Sequence, residues 1–230
     1  MDIEGTTTPL DFVHQVAFPY ARSHAEEFIE RHAPLPEVIF DLEGLRREHA
    51  QDARLGRKPP SLTNGGTPRS FARYIDWLIT ADRKSTPLKS LQGKIWEEGY
   101  ASRELVGRVF DDVPDALKRW QTEKRLVAIF SSGSVLAQQL LFAHTTAGDL
   151  TKYISAYFDT TTGGKLEPQS YTKIARALGR PPQEIVFLSD VTRELDAAAA
   201  AGIEVLLCDR PGNHPPPENT YTLIRSFVEL

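Results

Sequence analysis

The feature that most constrains the fold is a set of short apolar runs in the second half of the chain, at residues 126–130, 184–188 and 203–207. Each run has the length of a buried strand, and helix-like segments follow the first two, at 135–143 and 194–201. Strands that alternate with helices and are apolar on both faces are typical of a parallel sheet covered on both sides. We therefore predict an α/β fold with a doubly wound parallel sheet.

Polar residues directly follow two of these predicted strands. Ser131 and Ser132 come after the first strand, and Asp190 comes after the second. Ligands of open parallel sheets bind beyond the carboxyl ends of the strands. These side chains are therefore predicted to lie at a binding site.

The first half of the chain has a different pattern. Between residues 12 and 120, no buried strand is evident and apolar residues recur at helical spacing, for example at Phe71, Tyr74, Ile75 and Leu78. This predicts a helical region at 12–120, followed by an α/β region from residue 121 onward.

Composition excludes several classes of function. The formal net charge of -4 over 230 residues gives no electrostatic reason to expect nucleic acid or an anionic membrane as a partner. No stretch approaches the roughly 18 to 20 apolar residues that span a bilayer, and no secretory signal is visible. The single cysteine, Cys208, cannot form an internal disulfide. We expect a cytoplasmic protein, also nuclear if eukaryotic, with a stiff proline loop at 214–218.

An acid pair stands at the start of the chain. Asp2 and Glu4 precede Gly5 and three threonines. If Asp2 ends a strand, alternate residues point the same way and both carboxylates can face one site. One carboxylate can then attack phosphorus while the other moves protons. The alternative is a pair of solvated acids without chemistry.

Two further segments are candidates for binding phosphate. The run SSGS at 131–134 offers hydroxyls and the N–H groups of a helix N-terminus, although a plain helix cap has the same sequence. Lys165 follows a glycine pair and can reach into a cleft, or it can be an ordinary loop lysine in water.

Asp190 is a candidate ligand for Mg²⁺, which prefers carboxylates and substrate phosphate, and the alternative is a helix-capping aspartate. The acid pair, the serines, the lysine and Asp190 each fall at a predicted strand end or in the loop beyond it. Their order and placement together indicate a phosphate-handling site more strongly than any single segment does.

This order of motifs resembles the haloacid dehalogenase-type phosphatases, and more narrowly the enolase-phosphatases of methionine salvage. The similarity covers the chain from Asp2 to about Leu230. The matching stretches are DIEGTT at 2–7, FPYA at 18–21, LQGKIW at 91–96, SSGS at 131–134, FDT at 158–160, KLE at 165–167, SDVTRE at 189–194 and RPGN at 210–213.

The resemblance implies a catalytic α/β core of residues 1–11 and 121–230 with a helical cap inserted at 12–120. It also implies one Mg²⁺ per chain and acireductone synthase activity. The implied substrate is 2,3-diketo-5-methylthiopentyl 1-phosphate, which such enzymes enolise and then dephosphorylate to an acireductone. We expect a monomer that binds this small molecule and neither nucleic acid nor membrane.

The resemblance also implies roles for the acidic residues. Asp2, Glu4 and Asp190 would hold the metal, with Glu4 contributing in part through its backbone carbonyl. In the wider superfamily the residue matching Asp2 is the nucleophile, and the acid two places on is the general acid/base. Glu194 is either a partner of this site or a solvated helix carboxylate.

Other residues would contact the substrate. By the same resemblance, Ser131, Ser132 and Lys165 would bind its phosphate. Lys165 would also be catalytic, because a fixed positive charge stabilises the charge that develops during phosphoryl transfer. Lys94 and Trp96 of the inserted segment are candidates for the substrate pocket, although a tryptophan at helical spacing also suits a core.

One departure from the family is visible. Its members have a short apolar strand immediately before the first aspartate, and here only Met1 precedes Asp2. We expect that the sequence starts inside a longer natural chain, the alternative being a genuinely short form. Loss of a central strand would remove ladder hydrogen bonds and buried side chains. Two other functions therefore stay open, a phosphatase for a different small ester and an inactive form with a binding role.

Overall fold

The computed structural model of the chain describes residues 1–213 and 220–230, so the loop predicted at 214–218 lies outside the described residues. Its helices are α1 Leu10–Phe12, α2 Phe18–His32, α3 Pro36–Arg54, α4 Pro68–Thr80, α5 Thr86–Ser102, α6 Val113–Thr122, α7 Val135–Ala143, α8 Pro168–Leu178 and α9 Thr192–Ala200. Its strands are β1 Ala128–Phe130, β2 Ala156–Phe158, β3 Val186–Ser189, β4 Glu204–Cys208 and β5 Leu223–Ile224. Across these described ranges, no helix is both long enough and apolar enough to cross a membrane.

The described residues form two compact units. The first, the α/β unit, consists of Met1–Val13 and Val106–Leu230 and holds the five strands described above. The second, the helical unit, is His14–Leu105 and contains α2 to α5. The predicted helical texture of the first half is therefore present in a unit of its own. Its assignment as a cap stays a prediction.

The second segment of the α/β unit begins at Val106, earlier than the residue 121 that the sequence suggested. Helix α6 accounts for the difference, because it packs within the α/β unit. The Trp120 ring lies 5.3 Å from the ring of Phe227, and the Arg119 guanidinium donates to the Phe227 carbonyl at 2.7 Å. Apolar residues at helical spacing show that α6 is amphipathic, but not which core it covers.

Local capping defines the helices of the helical unit. The Thr67 hydroxyl accepts the Ser70 N–H at 3.2 Å at the start of α4, and Ser85 accepts the Leu88 N–H at 3.2 Å at the start of α5. Such caps satisfy N–H groups that have no partner within the helix. The apolar face predicted for α4 is confirmed, since its four residues are fully buried in the core of this unit: Phe71, Tyr74, Ile75 and Leu78.

Lys94 and Trp96, the two candidates for the substrate pocket, both contact other residues of the helical unit. Lys94 pairs with the buried Asp41 at 2.6 Å and donates to the Ser90 hydroxyl at 2.8 Å. The Trp96 indole donates to the Ala17 carbonyl at 2.8 Å. These contacts give both residues a structural role, and a role in substrate binding stays a prediction.

A buried carboxylate ties α3 to α4 and to the loops after each of them. Asp52 is 1% exposed and accepts hydrogen bonds from Arg57 at 2.8 Å and Tyr74 at 2.9 Å, and it pairs with Arg83 at 3.0 Å. Burial by itself raises the pKa of Asp52, but the hydrogen bonds from these three side chains outweigh it and lower the pKa. The ionised form is therefore stabilised by the fold.

Replacing Asp52 by asparagine is expected to lower the free energy of unfolding by about 2 kcal/mol at pH 7, as expected for hydrogen bonds to a charged group. The native pKa of Asp52 lies below that of an unfolded aspartate, about 3.9. Its stabilisation is therefore present above about pH 4 and is lost as the pH falls through the native pKa. Urea unfolding at pH 7 and pH 3 measures this difference. Asp76→Asn, at an exposed ion pair with Arg22, serves as the control. A gap between wild type and D52N that does not shrink at pH 3 would contradict the prediction.

The predicted parallel strands are confirmed, with their ends shifted by one or two residues. Strand β1 pairs with β2, and β3 pairs with β4 and β4 with β5, all in parallel. Helix α7 has the predicted bounds, and α9 begins at Thr192 instead of residue 194. Helices α8 and α9 pack with β3 and β4 around a buried apolar cluster that includes Tyr171, Phe187, Leu195 and Leu207.

Between β1 and β3 the described chain supplies only two residues in place of a strand. The Met1 nitrogen donates to the Ala128 carbonyl at 2.8 Å, and the Met1 carbonyl accepts the Phe130 N–H at 2.9 Å. Asp2 turns the other way and donates its N–H to the Leu188 carbonyl at 2.9 Å. The sheet is accordingly two-stranded on one side and three-stranded on the other.

Candidate active site

The candidate site lies at the carboxyl edge of the strands in the α/β unit. Ser131 directly follows β1, Asp190 directly follows β3, and Asp2 is held between these strands by its backbone. The local sequence explains this placement, because the apolar strands are buried and the chain becomes polar where they end. The structure therefore brings the sequence candidates to one edge of the sheet.

Lys165 connects two buried carboxylates. Its Nζ lies 2.6 Å from Asp2 Oδ1 and 2.7 Å from Glu194 Oε2, and all three residues are at most 8% exposed. Burial lowers the pKa of Lys165, but attraction to the two carboxylates outweighs it and raises the pKa well above its usual value. Lys165 is therefore positively charged in the fold. It is buried among the site residues and is not a solvated loop lysine.

Ser189 completes this group from the last position of β3. Its hydroxyl donates to Glu194 Oε2 at 2.9 Å, lies 3.5 Å from Asp2 Oδ2 and accepts the Val191 N–H at 3.1 Å. Burial, and then repulsion from Asp2, raises the pKa of Glu194 to about 7. Glu194 is thus a buried partner of the site and not a solvated helix carboxylate. The sequence reasoning did not single out Ser189, although its position before Asp190 at a strand end was a usable signal.

The turn after the acid pair requires a glycine. Gly5 has φ +68, and a Cβ at this position would overlap the carboxylate of Asp190. The missing side chain lets Asp190 approach the backbone next to Glu4. Burial, with Asp2 as the next cause, raises the pKa of Glu4 to about 7 and that of Asp190 to about 6. The acids therefore repel one another at this edge of the sheet.

The serine run divides into two functions. Ser134 caps α7 by accepting the Ala137 N–H at 3.3 Å, which is the plain capping interpretation. Ser131 instead points its hydroxyl toward Glu4 Oε2, at 3.5 Å, and accepts the Gly133 N–H at 3.1 Å. Ser132 is exposed in the same loop.

A segment after β4 holds the turn that carries the acid pair. The Arg210 Nε donates to the Thr6 carbonyl at 3.0 Å, and the Asn213 amide donates to the Gly5 carbonyl at 2.9 Å. The guanidinium also pairs with Asp112 at 2.8 Å and lies between aromatic rings, 4.2 Å from the centroid of Phe227. The stretch at 210–213 matches the family in sequence, but its contact with residues 5 and 6 depends on the tertiary fold.

The donor set suits a hard cation. Four acids, Asp2, Glu4, Asp190 and Glu194, meet one lysine here, so negative charge is in excess. Mg²⁺ takes oxygen ligands of this kind, often only one or two carboxylates together with substrate phosphate. Over residues 1–213 and 220–230, no three acid, histidine or cysteine side chains form a ready metal cluster.

The chain matches known proteins over its whole length. The family described as haloacid dehalogenase-like hydrolase matches residues 1–202. The chain is 51% identical to enolase-phosphatase E1 of Synechococcus elongatus over 230 residues, which is 100% of this chain and 95% of that protein. It is 44% identical to enolase-phosphatase E1 of Leptospira borgpetersenii over 98% of this chain and 94% of that protein.

A solved structure agrees with these relatives. The crystal structure of the UTR4 protein of Saccharomyces cerevisiae superposes with a TM-score of 0.81 at 36% identity, covering 100% of this chain and 97% of that one. A dehalogenase crystal structure at 18% identity and a TM-score of 0.53 shares the fold. The chain therefore belongs to the haloacid dehalogenase-like hydrolases and, within them, to the enolase-phosphatase E1 family.

Proposed function

We propose that this protein is a Mg²⁺-dependent enolase-phosphatase of methionine salvage, an acireductone synthase. Its substrate would be 2,3-diketo-5-methylthiopentyl 1-phosphate, converted to the acireductone and phosphate. The observation that carries the proposal is the buried group of Asp2, Lys165 and Glu194 beside Asp190, in a chain 51% identical to an enolase-phosphatase E1.

We propose that Asp2, Asp190 and the carbonyl of Glu4 hold one Mg²⁺. The excess of carboxylates over Lys165 supports this assignment, because a divalent cation offsets their mutual repulsion. When bound, Mg²⁺ stabilises the negative charge on the phosphoryl oxygens. Asp2 would in addition be the group that faces phosphorus, since Lys165 and Ser189 fix its two carboxylate oxygens.

The phosphate would be bound by Ser131, Ser132 and Lys165. Ser131 and Ser132 lie in the loop after β1, and the buried ammonium of Lys165 lies next to Asp2. A positive charge held in place by two carboxylates needs no reorganisation when charge develops on the phosphoryl group. Lys165 therefore supports both binding and catalysis in this proposal.

Glu4 is the proposed group for proton transfer in the enolisation step. It reaches toward Ser131 Oγ, at 3.5 Å, and so lies beside the proposed phosphate site. Glu4→Gln keeps the shape and removes the base, so we expect enolisation to slow by about 10²-fold or more. The rise in ultraviolet absorbance of the enol measures this step. Unchanged enolisation in the variant would show that another group takes the proton.

Phosphate release from the diketo phosphate, in the presence of Mg²⁺, tests the proposed function directly. We expect turnover that stops on chelation and returns when Mg²⁺ is added in excess. A panel of other small phosphate esters separates this function from that of a phosphatase with another substrate, which would turn over one of them faster. A folded protein that releases phosphate from none of them would favour the third function, that of an inactive binding form.

We further propose that the protein acts in the cytoplasm, as a monomer, on this small molecule alone. The net charge of -4 and the lack of a membrane-spanning helix over the described residues are consistent with this proposal. Sedimentation at several protein concentrations measures the oligomeric state.

A further inference from the structure

A buried glutamine lies on the inner face of α7. Gln138 is 2% exposed, and the other buried residues of this helix are Leu140, Leu141 and Phe142. Taking an amide out of water costs free energy unless its polar atoms find partners. A methionine would fill a similar space without that cost. What distinguishes Gln138 at this position is therefore its amide group.

The amide nitrogen of Gln138 donates to two backbone carbonyls. Its Nε2 lies 2.9 Å from the Gly133 carbonyl oxygen and 2.9 Å from the Phe158 carbonyl oxygen. An amide nitrogen carries two hydrogens, so these two bonds use both of them. The opposite orientation of the amide would place Oε1 against two carbonyl oxygens. The contacts therefore also fix which end of the amide faces these carbonyls.

The two carbonyls belong to neighbouring segments at the edge of the sheet where the candidate site lies. Gly133 belongs to the loop after β1, residues 131–134, which we call the serine loop, and Phe158 is the last residue of β2. Strands β1 and β2 pair in parallel, so their carboxyl ends lie side by side. The Phe158 carbonyl also accepts the Ser131 N–H at 3.2 Å. Gln138 therefore ties the middle of the serine loop to the strand end that already holds its first residue.

Gly133 is the position in the serine loop where such a contact matters most. Glycine has the most backbone freedom of any residue, so its conformation depends on contacts made from outside. The Gly133 N–H donates to the Ser131 hydroxyl at 3.1 Å, and Gln138 holds the carbonyl of the same residue. Just after the loop, the Val135 N–H donates to Asp159 Oδ2 at 3.3 Å. The path of the serine loop is thus set from both of its ends and at its glycine.

We propose that Gln138 is a positioning residue for phosphate binding. Its amide holds the serine loop in the conformation in which Ser131 and Ser132 bind the phosphate, so this inference rests on the function proposed above for these two serines. The amide nitrogen has no hydrogen left for the substrate, and Gln138 therefore acts through the loop.

The kinetic effect of Gln138 should differ from that of the buried acids and Lys165. A loosened serine loop weakens binding of the phosphate in the ground state and in the transition state alike, which raises KM and leaves kcat nearly unchanged. Asp2 and Lys165 belong to other segments and keep their own contact at 2.6 Å. The split between KM and kcat therefore distinguishes a role in the loop from general damage to the site.

The test replaces each of two adjacent glutamines. Gln138→Met removes both N–H groups at nearly unchanged size. With the diketo phosphate and Mg²⁺ we expect KM to rise about tenfold, as for the loss of a hydrogen-bonded contact, and kcat to stay within about threefold. The inhibition constant of inorganic phosphate should rise by the same factor as KM. Gln139→Met is the matched control, because Gln139 is exposed on the same helix, and it should leave all three constants unchanged.

Hydrogen exchange supplies a readout that does not depend on turnover. The amides of Gly133 and Val135 should exchange about tenfold faster in Q138M than in wild type, because the loop opens more often without its clamp. The amides of Leu140 and Leu141, inside α7, should keep their wild-type rates. Unchanged exchange at Gly133 and Val135 would show that Gln138 does not hold the loop, and would overturn the proposal.

A second variant guards against loss of the fold. Gln138→Glu has the same shape, but it places an oxygen instead of the donor against the two carbonyls, so it should raise KM at least as much as Q138M does. A thermal melt identifies a variant that has unfolded, and the other variant then decides. If both unfold, the amide stabilises the core as a whole and the proposed role in the loop is overturned.

The kinetic outcomes separate this inference from the proposed function. A wild-type protein that dephosphorylates the diketo phosphate, beside a Q138M variant with unchanged KM, overturns the inference and leaves the function in place. A large fall in kcat at unchanged KM overturns it as well, because Gln138 would then act on the reacting groups. If wild type prefers another ester, the same comparison is made with that ester. A wild-type protein that neither releases nor binds phosphate overturns the proposed function and the inference together.

Discussion

Replacing Asp2 by asparagine is expected to lower phosphate release on the order of 10⁴-fold, which is typical for loss of a central catalytic group. The amide has nearly the same shape but lacks the charge that, in the proposed mechanism, would attack phosphorus and hold Mg²⁺. The fold should be retained, because Lys165 keeps its pair with Glu194 at 2.7 Å. Phosphate release at saturating substrate measures the effect, and a thermal melt checks the fold.

Asp11→Asn is the matched control for this variant. Asp11 is an exposed acid of the same unit, 3.9 Å from Arg108, and lies outside the site. It should change phosphate release less than twofold. If D2N retains more than a tenth of the wild-type rate while remaining folded, Asp2 is not the central acid of this protein.

Replacing Lys165 by methionine should affect both stability and catalysis. Removing one member of a buried ion pair leaves uncompensated charge, so the free energy of unfolding should fall by about 3 to 5 kcal/mol. Phosphate release should fall by about 10² to 10³-fold, as when a fixed electrostatic donor is removed. Denaturant unfolding and steady-state phosphate release measure the two effects.

Two further measurements separate the origins of this loss. Mg²⁺ should recover part of the stability of K165M, because the ion supplies positive charge to the same carboxylates. The double variant with Glu194→Gln should recover part of it as well, since one fewer buried carboxylate is left without a cation. Lys173→Met, at an exposed lysine that donates to the Thr162 carbonyl at 2.9 Å, is the control. Surface changes usually alter the free energy of unfolding by no more than about 0.5 kcal/mol. If K165M lies within this range of wild type, the ion pairs of Lys165 do not stabilise the fold as predicted.

The strands that the sequence predicted share one property, which is a run of apolar residues long enough to exceed a chance cluster. The strand at 156–158 was missed because it has three residues, all half-buried, and Leu223–Ile224 was missed because it has two. Short strands like these form because a neighbour offers a backbone edge, and a single sequence does not display the neighbour.

In the candidate site, too, some residues could be predicted from local sequence and others could not. Asp2, Lys165 and Asp190 could be predicted, because Lys165 follows a glycine pair, Asp190 comes just after an apolar run, and Asp2 opens the stretch DIEGTT that resembles the family. The position of the Ser189 hydroxyl between two carboxylates could not be predicted. The hydrogen bond from Arg210 to the Thr6 carbonyl could not be predicted either. These contacts join residues that are far apart in sequence, so they depend on the packed fold and not on local patterns.

The hydrogen bonds from Arg210 and Asn213 to the turn at residues 5 and 6 also determine when this site can form during synthesis. A ribosome releases the acid pair before the side chains that fix its turn, which emerge some 200 residues later, with spacings of 204 and 208. At translation rates of about 5 to 20 residues per second, Asp2 waits on the order of ten seconds or more for its partners. Contacts of such long sequence separation form late in folding. The growing chain therefore carries its acid pair in an unassembled state until residues 210 and 213 have been made.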